Sequence, residues 1–545
     1  MRFSGRCFWA IIAVLHLLFL RRGLWTNDEG AYLLLTRSVV ENFPRFLNLS
    51  AYIPEPGAGA YYSYFRFNGE VHAGISPGLS LLSAPLYLLL GELGIKLVST
   101  AASIGTACLL YRLASARGEE YGRFAALTYT VATPALFYAT SLWYHSLAAF
   151  FFTLSIYSVI ERGRHAHLLL PLSCSLMVLS AYYLLLPAAI LVIGYSLSLR
   201  NRKSIICLLG FGAMLLPSLA YNAANFGSPL TAEYSAAPLL EVAGGGTQSL
   251  QELITRIARR LPALLFSAEL GSGEYAWAQK ALFQSSPVLA LSMVWLHRAR
   301  RLRLPLLSAG MLLLLTAYAA GDLGGWQLSM RYLLPIFPLL CLALTELLGV
   351  LRIPVPEKTM LAMIAMAPLL LLVPLEPSST AYMVLKIIAT FSAISGMIYA
   401  IRAGKHGISA FLTILLLISA FSNLNDASYS ASYRSTHRVI DSALEGTHTT
   451  LYIPAFPPFA AAGAPATGLF LPGKRARVYQ PGELPELQGE VSLVGRRDEV
   501  PAGCRVESTR SFSSPYRYLV RAREHREMLR RLEKLQVMNL RCKEI

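Results

Sequence analysis

Charge is scarce in this sequence. Asp, Glu, Lys and Arg make up 14% of 545 residues, against 54% hydrophobic, and the mean hydropathy is +0.48. Apolar runs such as 306–320 and 362–375 are too many for a soluble core and imply a multi-span membrane protein. Acids are scarcer than bases, 31 against 48, for a net charge of +17. That surplus does not point to nucleic acid. No nucleic-acid motif accompanies it, and the arginines fall in short clusters between apolar segments, the pattern of membrane topology. Cysteine is also sparse, at seven, with no CxxC and no Cys/His spacing suited to a metal. Cys7, Cys108, Cys174, Cys207 and Cys341 lie in or beside apolar segments, where they read as small buried hydrophobes. Cys504 and Cys542 lie in a polar C-terminal region and can pair if it faces an oxidising space. No internal repeat or low-complexity tract is present. No small-residue cleavage site follows the apolar run 8–20; Arg21-Arg22-Gly23-Leu24-Trp25 does, so a retained first span is expected.

The apolar pattern predicts about thirteen spans, near 8–25, 95–113, 124–138, 142–160, 168–184, 186–199, 204–221, 281–296, 304–320, 332–351, 359–375, 381–401 and 408–421. The segment 77–90 is short and reads as a juxtamembrane helix at the outer surface. With the N-terminus cytoplasmic, Arg112, Arg117, Arg123, Arg162, Arg164, Arg200, Arg202, Lys203, Arg298, Arg300, Arg301, Arg303, Arg352, Lys358, Arg402 and Lys405 all fall in inner loops. Counting 77–90 as a span would invert that asymmetry. The expected membrane region is therefore 1–422, with outer loops at 21–94, 222–280 and 321–331. In the second loop, 249–266 has apolar residues at helical spacing behind three glycines, and reads either as an interfacial amphipathic helix or as one packed on the protein. Residues 423–545 change composition. Short β-rich runs at 449–453, 477–479, 490–494, 505–507 and 516–520, then a charged helix 524–535, predict a small α/β domain on the outer face.

The segment Thr26-Asn27-Asp28-Glu29-Gly30-Ala31-Tyr32 puts two adjacent carboxylates at the water edge of the membrane, at the head of a helix expected over about 30–43. An ionisable pair there is a functional candidate. Thr26-x-x-Glu29 is also a capping box, and acids at a helix N-terminus are favoured by its dipole.

An Asp-Glu pair followed by a Tyr just past the first span resembles the GT-C glycosyltransferases, among them the protein O-mannosyltransferases and lipid A aminoarabinose transferases. Five further stretches are similar to that pattern in order: YFRFNGEVHAGISPGLSLLSAP from Tyr64, SLWYHSLAAF from Ser141, YNAANFGSPLTAEY from Tyr221, QKALFQSSPVL from Gln279 and GGWQLSMRYLLPIFP from Gly324. They span most of the membrane region and leave the C-terminal domain uncovered. The resemblance implies a polytopic α-helical GT-C protein. It would transfer a sugar from a polyprenyl-phosphate donor to a hydroxyl of a protein, lipid or glycan acceptor on the extracytoplasmic face of the cell membrane, with inversion. A carboxylate takes the acceptor's proton, and a cation stabilises the leaving lipid phosphate. Carried onto this chain, Asp28 is the base and Glu29 orients it or binds acceptor. Arg331, Lys280 and His72 are the donor-phosphate candidates. His145, Trp326 and Glu274 are the sugar or acceptor candidates. No cofactor is implied with certainty; a divalent metal is possible, with only Glu70 and His72 close together. The partners are the lipid-linked donor, the acceptor and membrane lipids. The readings that compete are a transporter or lipid flippase, and a non-catalytic scaffold of the same fold.

Overall fold

The computed structural model describes residues 5–50, 52, 64–67, 69–199, 202–226, 250–270, 279–294, 296, 300–319, 328–444, 446–447, 450–454, 475–479, 484, 487–501, 503–512 and 520–543. The chain is mostly helical. Five helices among these residues are long and apolar enough to cross a membrane: Glu92–Arg117, Tyr182–Leu199, Arg202–Ala224, Thr380–His406 and Ile408–Leu444. Shorter apolar helices, including Gly5–Phe19, His145–Glu161, Ala166–Ser180 and Ile336–Val350, accompany them. The last two long helices are one element, Thr380–Leu444, kinked at Gly404, whose φ of 55° suits glycine. The chain divides into two compact units. One comprises Met1–Leu20, Lys96–Thr140 and Tyr144–Ser428; the other comprises Arg21–Ile95, Ser141–Trp143 and Tyr429–Ile545.

In the first unit proline interrupts two of the expected spans. The span expected over 124–138 stops at Ala132, and a short helix Ala135–Ala139 follows Pro134. The stretch expected as one span over 281–296 is broken into Leu282–Ser285, Pro287–Leu289 and Ala290–Met293. Pro287 forces Ser286 out of helical geometry, at φ −138° and ψ 71°. The freed polar groups of the broken segment are taken up by the helix Thr380–Leu444. Ser419 Oγ accepts from Val288 N at 3.2 Å, Asn423 Nδ2 donates to Ser285 O at 2.6 Å, and Ser285 Oγ donates to Asn423 Oδ1 at 3.0 Å. Ser419, Ser422, Asn423 and Asp426 are spaced i, i+3, i+4 and i+7, so one polar stripe faces the break. Outward faces are apolar, as at Leu209, Leu216, Phe391 and Ile401, which suits lipid contact.

The helix Leu250–Leu265 packs on Arg303–Ala319. Arg260 Nη1 donates to Ala317 O at 3.4 Å and Tyr318 O at 3.3 Å, near that helix's C-terminus, and Arg256 lies 5.7 Å from the Tyr318 ring centroid.

In the second unit, Asn27–Glu41 packs on Gly78–Leu90, the expected juxtamembrane helix, burying Ala31, Tyr32, Leu34, Leu35 and Val39. A hairpin, β1 Tyr64–Phe67 and β2 Glu70–Ala73, precedes it. The C-terminal sheet has five strands: β3 Thr450–Pro454, β4 Arg475–Tyr479, β5 Gly489–Gly495, β6 Cys504–Ser511 and β7 Gln536–Cys542. Their order is β4-β3-β5-β7-β6, with β3 parallel to β4 and β5, and β7 antiparallel to β5 and β6. Four of the expected strands match β3 to β6. Most of the expected run at 516–520 lies outside the described residues. The closing helix, Arg523–Leu532, ends earlier than 535 and leaves room for β7, a strand the sequence pattern did not single out. Val439, Ile440, Ala443 and Leu444 of the long helix complete the core with Val494, Leu529, Leu532 and Val537. Cys504 and Cys542 are disulfide-bonded across β6 and β7.

Candidate active site

The helix Asn27–Glu41 begins three residues earlier than the expected Gly30. Thr26 stands at its N-cap in an extended conformation, but its side chain makes no cap hydrogen bond, so the expected capping box is not formed. Glu29, the third helical residue, instead reaches back past Thr26. Its Oε2 accepts from Trp25 N at 2.7 Å. Its Oε1 accepts from Leu142 N at 3.2 Å and from Arg434 Nη2 at 2.8 Å. Glu29 and Arg434 are both fully buried, and Arg434 Nη2 also donates to Ser141 Oγ at 2.7 Å. A buried ion pair is tolerable when hydrogen bonds satisfy its remaining groups, as they do at Glu29. Asp28, one residue earlier, is half-exposed. The two adjacent carboxylates thus differ in burial: Glu29 is fully enclosed, and Asp28 is partly exposed.

His72 sits in β2, buried, with Nε2 3.6 Å from Glu70 Oε2. Among the described residues no group of three or more His, Cys, Asp or Glu is arranged around a common centre that could hold a metal ion. Glu274 and Trp326 lie outside the described residues.

The first unit brings Arg331 and His145 together. Arg331 opens a short turn, Arg331–Leu333, and is half-buried; its Nη2 donates to Tyr332 Oη at 3.0 Å, with the guanidinium 5.0 Å from the Tyr332 ring centroid. His145 begins the helix His145–Glu161 and is buried among rings, with centroids 5.3 Å from Tyr138, 4.1 Å from Tyr144 and 6.0 Å from Tyr332. Tyr183 lies 5.5 Å from Tyr332, and Tyr138 Oη donates to Ser329 O at 3.0 Å. A guanidinium within a wall of tyrosines and a histidine offers charge, donors and flat apolar faces, the groups that bind a phosphorylated sugar.

Lys280 was expected, like Arg331, at the outer start of a span as a donor-phosphate candidate. Its backbone does meet that segment, donating to Leu328 O at 3.2 Å. Its ammonium, however, is fully buried. It pairs with Asp426 Oδ2 at 2.6 Å and donates to Ser422 Oγ at 2.6 Å and Ser422 O at 3.1 Å, 5.5 Å from the Tyr382 ring centroid. Tyr382 Oη donates to the other Asp426 oxygen at 3.2 Å. Nearby, buried Lys386 pairs with Glu269. Lys280 is a strut that fastens the broken segment to the long helix.

Arg434, Asp426, Tyr183 and Tyr382 were not singled out from sequence. The stretch 422–438 carries the one available signal: it is polar, rich in Ser, Asn and Tyr, yet nearly all of it is buried in a helix.

No family model matches the chain, and no curated protein sequence matches it. Solved structures do. ArnT from Cupriavidus metallidurans, bound to undecaprenyl phosphate, aligns at 13% identity over 98% of this chain and 97% of that one, with a TM-score of 0.52. Its apo state aligns at 13% identity over 90% and 93%, with a TM-score of 0.50. The Archaeoglobus fulgidus oligosaccharyltransferase in apo form aligns at 13% identity over 89% of this chain and 62% of that one, with a TM-score of 0.41. ArnT is a GT-C glycosyltransferase. At these identities the likeness is one of fold: the chain has a GT-C fold, helical through most of its length and closed by a small sheet.

Proposed function

We propose that this chain transfers a hexosyl or pentosyl group from a polyprenyl-phosphate-linked donor to an acceptor hydroxyl at the extracytoplasmic face of the cell membrane, with inversion at the anomeric carbon. A fold hosts many chemistries, so the fold alone does not carry this reading. The observation that carries it is the pair Asp28 and Glu29. Two neighbouring carboxylates that differ in burial divide the work of a base and its support.

In the reaction, Asp28 accepts the proton of the acceptor hydroxyl as its oxygen bonds to the anomeric carbon. The bond from that carbon to the phosphate oxygen breaks on the opposite side, and polyprenyl phosphate leaves with the electron pair. Arg331 supplies the charge-assisted hydrogen bonds that stabilise the leaving phosphate, with His72 as a further donor. His145, Trp326 and Glu274 hold sugar or acceptor. Lys280 is assigned no phosphate role, because its ammonium is enclosed by Asp426 and Ser422. In this reading about thirteen spans and residues 1–422 form the membrane region, with the N-terminus cytoplasmic, and residues 423–545 stand outside. The Cys504–Cys542 disulfide is consistent with an oxidising outer compartment.

The test is reconstitution with a panel of polyprenyl-phosphate hexoses and pentoses, following release of free polyprenyl phosphate. Asp28→Asn is near-isosteric, so the fold should persist while turnover falls about 10²–10⁴-fold. Wild-type turnover in a well-folded Asp28→Asn protein would remove Asp28 as base.

A further inference from the structure

We propose that Arg434 is a positioning residue for Asp28, acting through Glu29. The inference rests on Asp28 being the base. The first turn of Asn27–Glu41 has no cap bond from Thr26 to fix it. Glu29 fixes it instead, by joining three separated segments at one carboxylate: Trp25 N–H from its own loop, Leu142 N–H from the 141–143 turn, and the Arg434 guanidinium from the long helix. Arg434 ties the same turn a second time through Ser141 Oγ.

The loop ahead of the helix closes on the same place. Gly23, at φ +98°, lies against the backbone of Arg434, where an added Cβ would come within 2.1 Å of Arg434 O. Its N–H donates to Glu92 Oε1 at 2.9 Å. The Trp25 ring sits edge-on to Tyr429 and Tyr433, with centroids 5.8 Å and 5.0 Å away. Tyr433 in turn meets His437 and His525. Residues 23–29 are thus wrapped on one stretch of the long helix, and only glycine permits the approach.

Two consequences bear on Asp28. Adjacent helical residues differ by roughly 100° in azimuth, so pinning Glu29 sets the direction in which Asp28 points. The guanidinium also cancels the Glu29 charge one residue from Asp28.

The test uses full-length reconstituted protein and whichever polyprenyl-phosphate sugar of the panel wild type turns over. In Arg434→Met, kcat should fall about 10–100-fold, the scale of a misplaced reacting group, with donor KM within about twofold. The double variant Glu29→Gln/Arg434→Met should be no slower than Arg434→Met alone, since Arg434 acts through Glu29. Arg434→Lys should recover only part of kcat, since its ammonium sits on a shorter side chain than the guanidinium Nη2 that bonds both Glu29 and Ser141. If Arg434→Met fails to fold, Arg434→Lys and the double variant carry the test. Wild-type kcat in Arg434→Met would overturn the proposal. So would a kcat loss with a parallel rise in donor KM, which marks a structural residue. The base assignment is judged separately: active Asp28→Asn sinks it whatever Arg434 does, whereas inactive Asp28→Asn with normal Arg434 variants leaves the base standing and removes only the positioning role.

Discussion

Arg331 and Lys280 open neighbouring segments and carry the same charge, but their surroundings differ. Arg331 is half-buried beside Tyr332. Arg331→Ala should therefore weaken donor use while leaving the fold intact, at a cost of about 1.5–3 kcal/mol for a lost charge-assisted hydrogen bond. Donor titration of the folded variant measures it, and an unchanged donor KM and kcat would return Arg331 to a structural role. Lys280 is enclosed with Asp426. Removing it strands a buried carboxylate, so Lys280→Ala should destabilise the protein by about 3–5 kcal/mol. Its effect should appear as a lower melting temperature in detergent before any change in donor KM; a raised donor KM at unchanged stability would contradict the strut. Both readings follow from burial, which neither side chain reveals in the sequence. His145 and Arg331 were legible as candidates because they stand out chemically from apolar neighbours. That Tyr332 joins them was not, since their separation of 186 positions hides the contact.

Among the elements, the helix Arg523–Leu532 shows how a polar side chain can hold a domain to a long helix. Ser432 Oγ accepts from Arg521 N at 2.9 Å, Ala522 N at 3.0 Å, and hydrogen-bonds His525 Nδ1 at 3.1 Å. His525 is buried against Tyr429, Tyr433 and His437, with Glu524 3.6 Å from its Nε2. Burial, reinforced by the neighbouring His437, pulls its pKa down to about 3. In the unfolded chain it titrates at about 6.5. The unfolded state therefore binds the proton first as pH falls. The stability contributed by neutral His525 is complete above about pH 6.5, erodes as pH drops, and is lost by about pH 3. Melting temperature should decline between pH 7 and pH 4.5, and His525→Gln should flatten that decline; identical pH profiles for the two proteins would reject the assignment. The helical pattern at 524–535 was visible in sequence, but β7 was not. A seven-residue strand at the chain's end has too little periodicity to be separated from a preceding charged helix.

For the whole molecule, orientation is the claim most open to direct test. Cysteine labelling of Arg523→Cys, on the exposed face of the last helix, should require only reagent on the extracytoplasmic side, and Arg402→Cys only the cytoplasmic side. The reverse pattern would invert the topology. The sequence by itself determined the membrane class, the GT-C likeness and the carboxylate pair. Apolar runs, proline breaks and charge clusters are local quantities, and a span or a loop can be read from a window of twenty residues. The expected extents of the helices Gly78–Leu90 and Leu250–Leu265 were right to within two residues for that reason. What only the tertiary structure decided is which charges are enclosed and with whom. Thr26-x-x-Glu29 satisfies the capping pattern, yet Glu29 gives its oxygens to Trp25, Leu142 and Arg434, the last of them 405 positions away. In a low-dielectric interior a carboxylate takes the strongest partner that packing brings to it, and packing is a property of the folded chain rather than of any stretch within it.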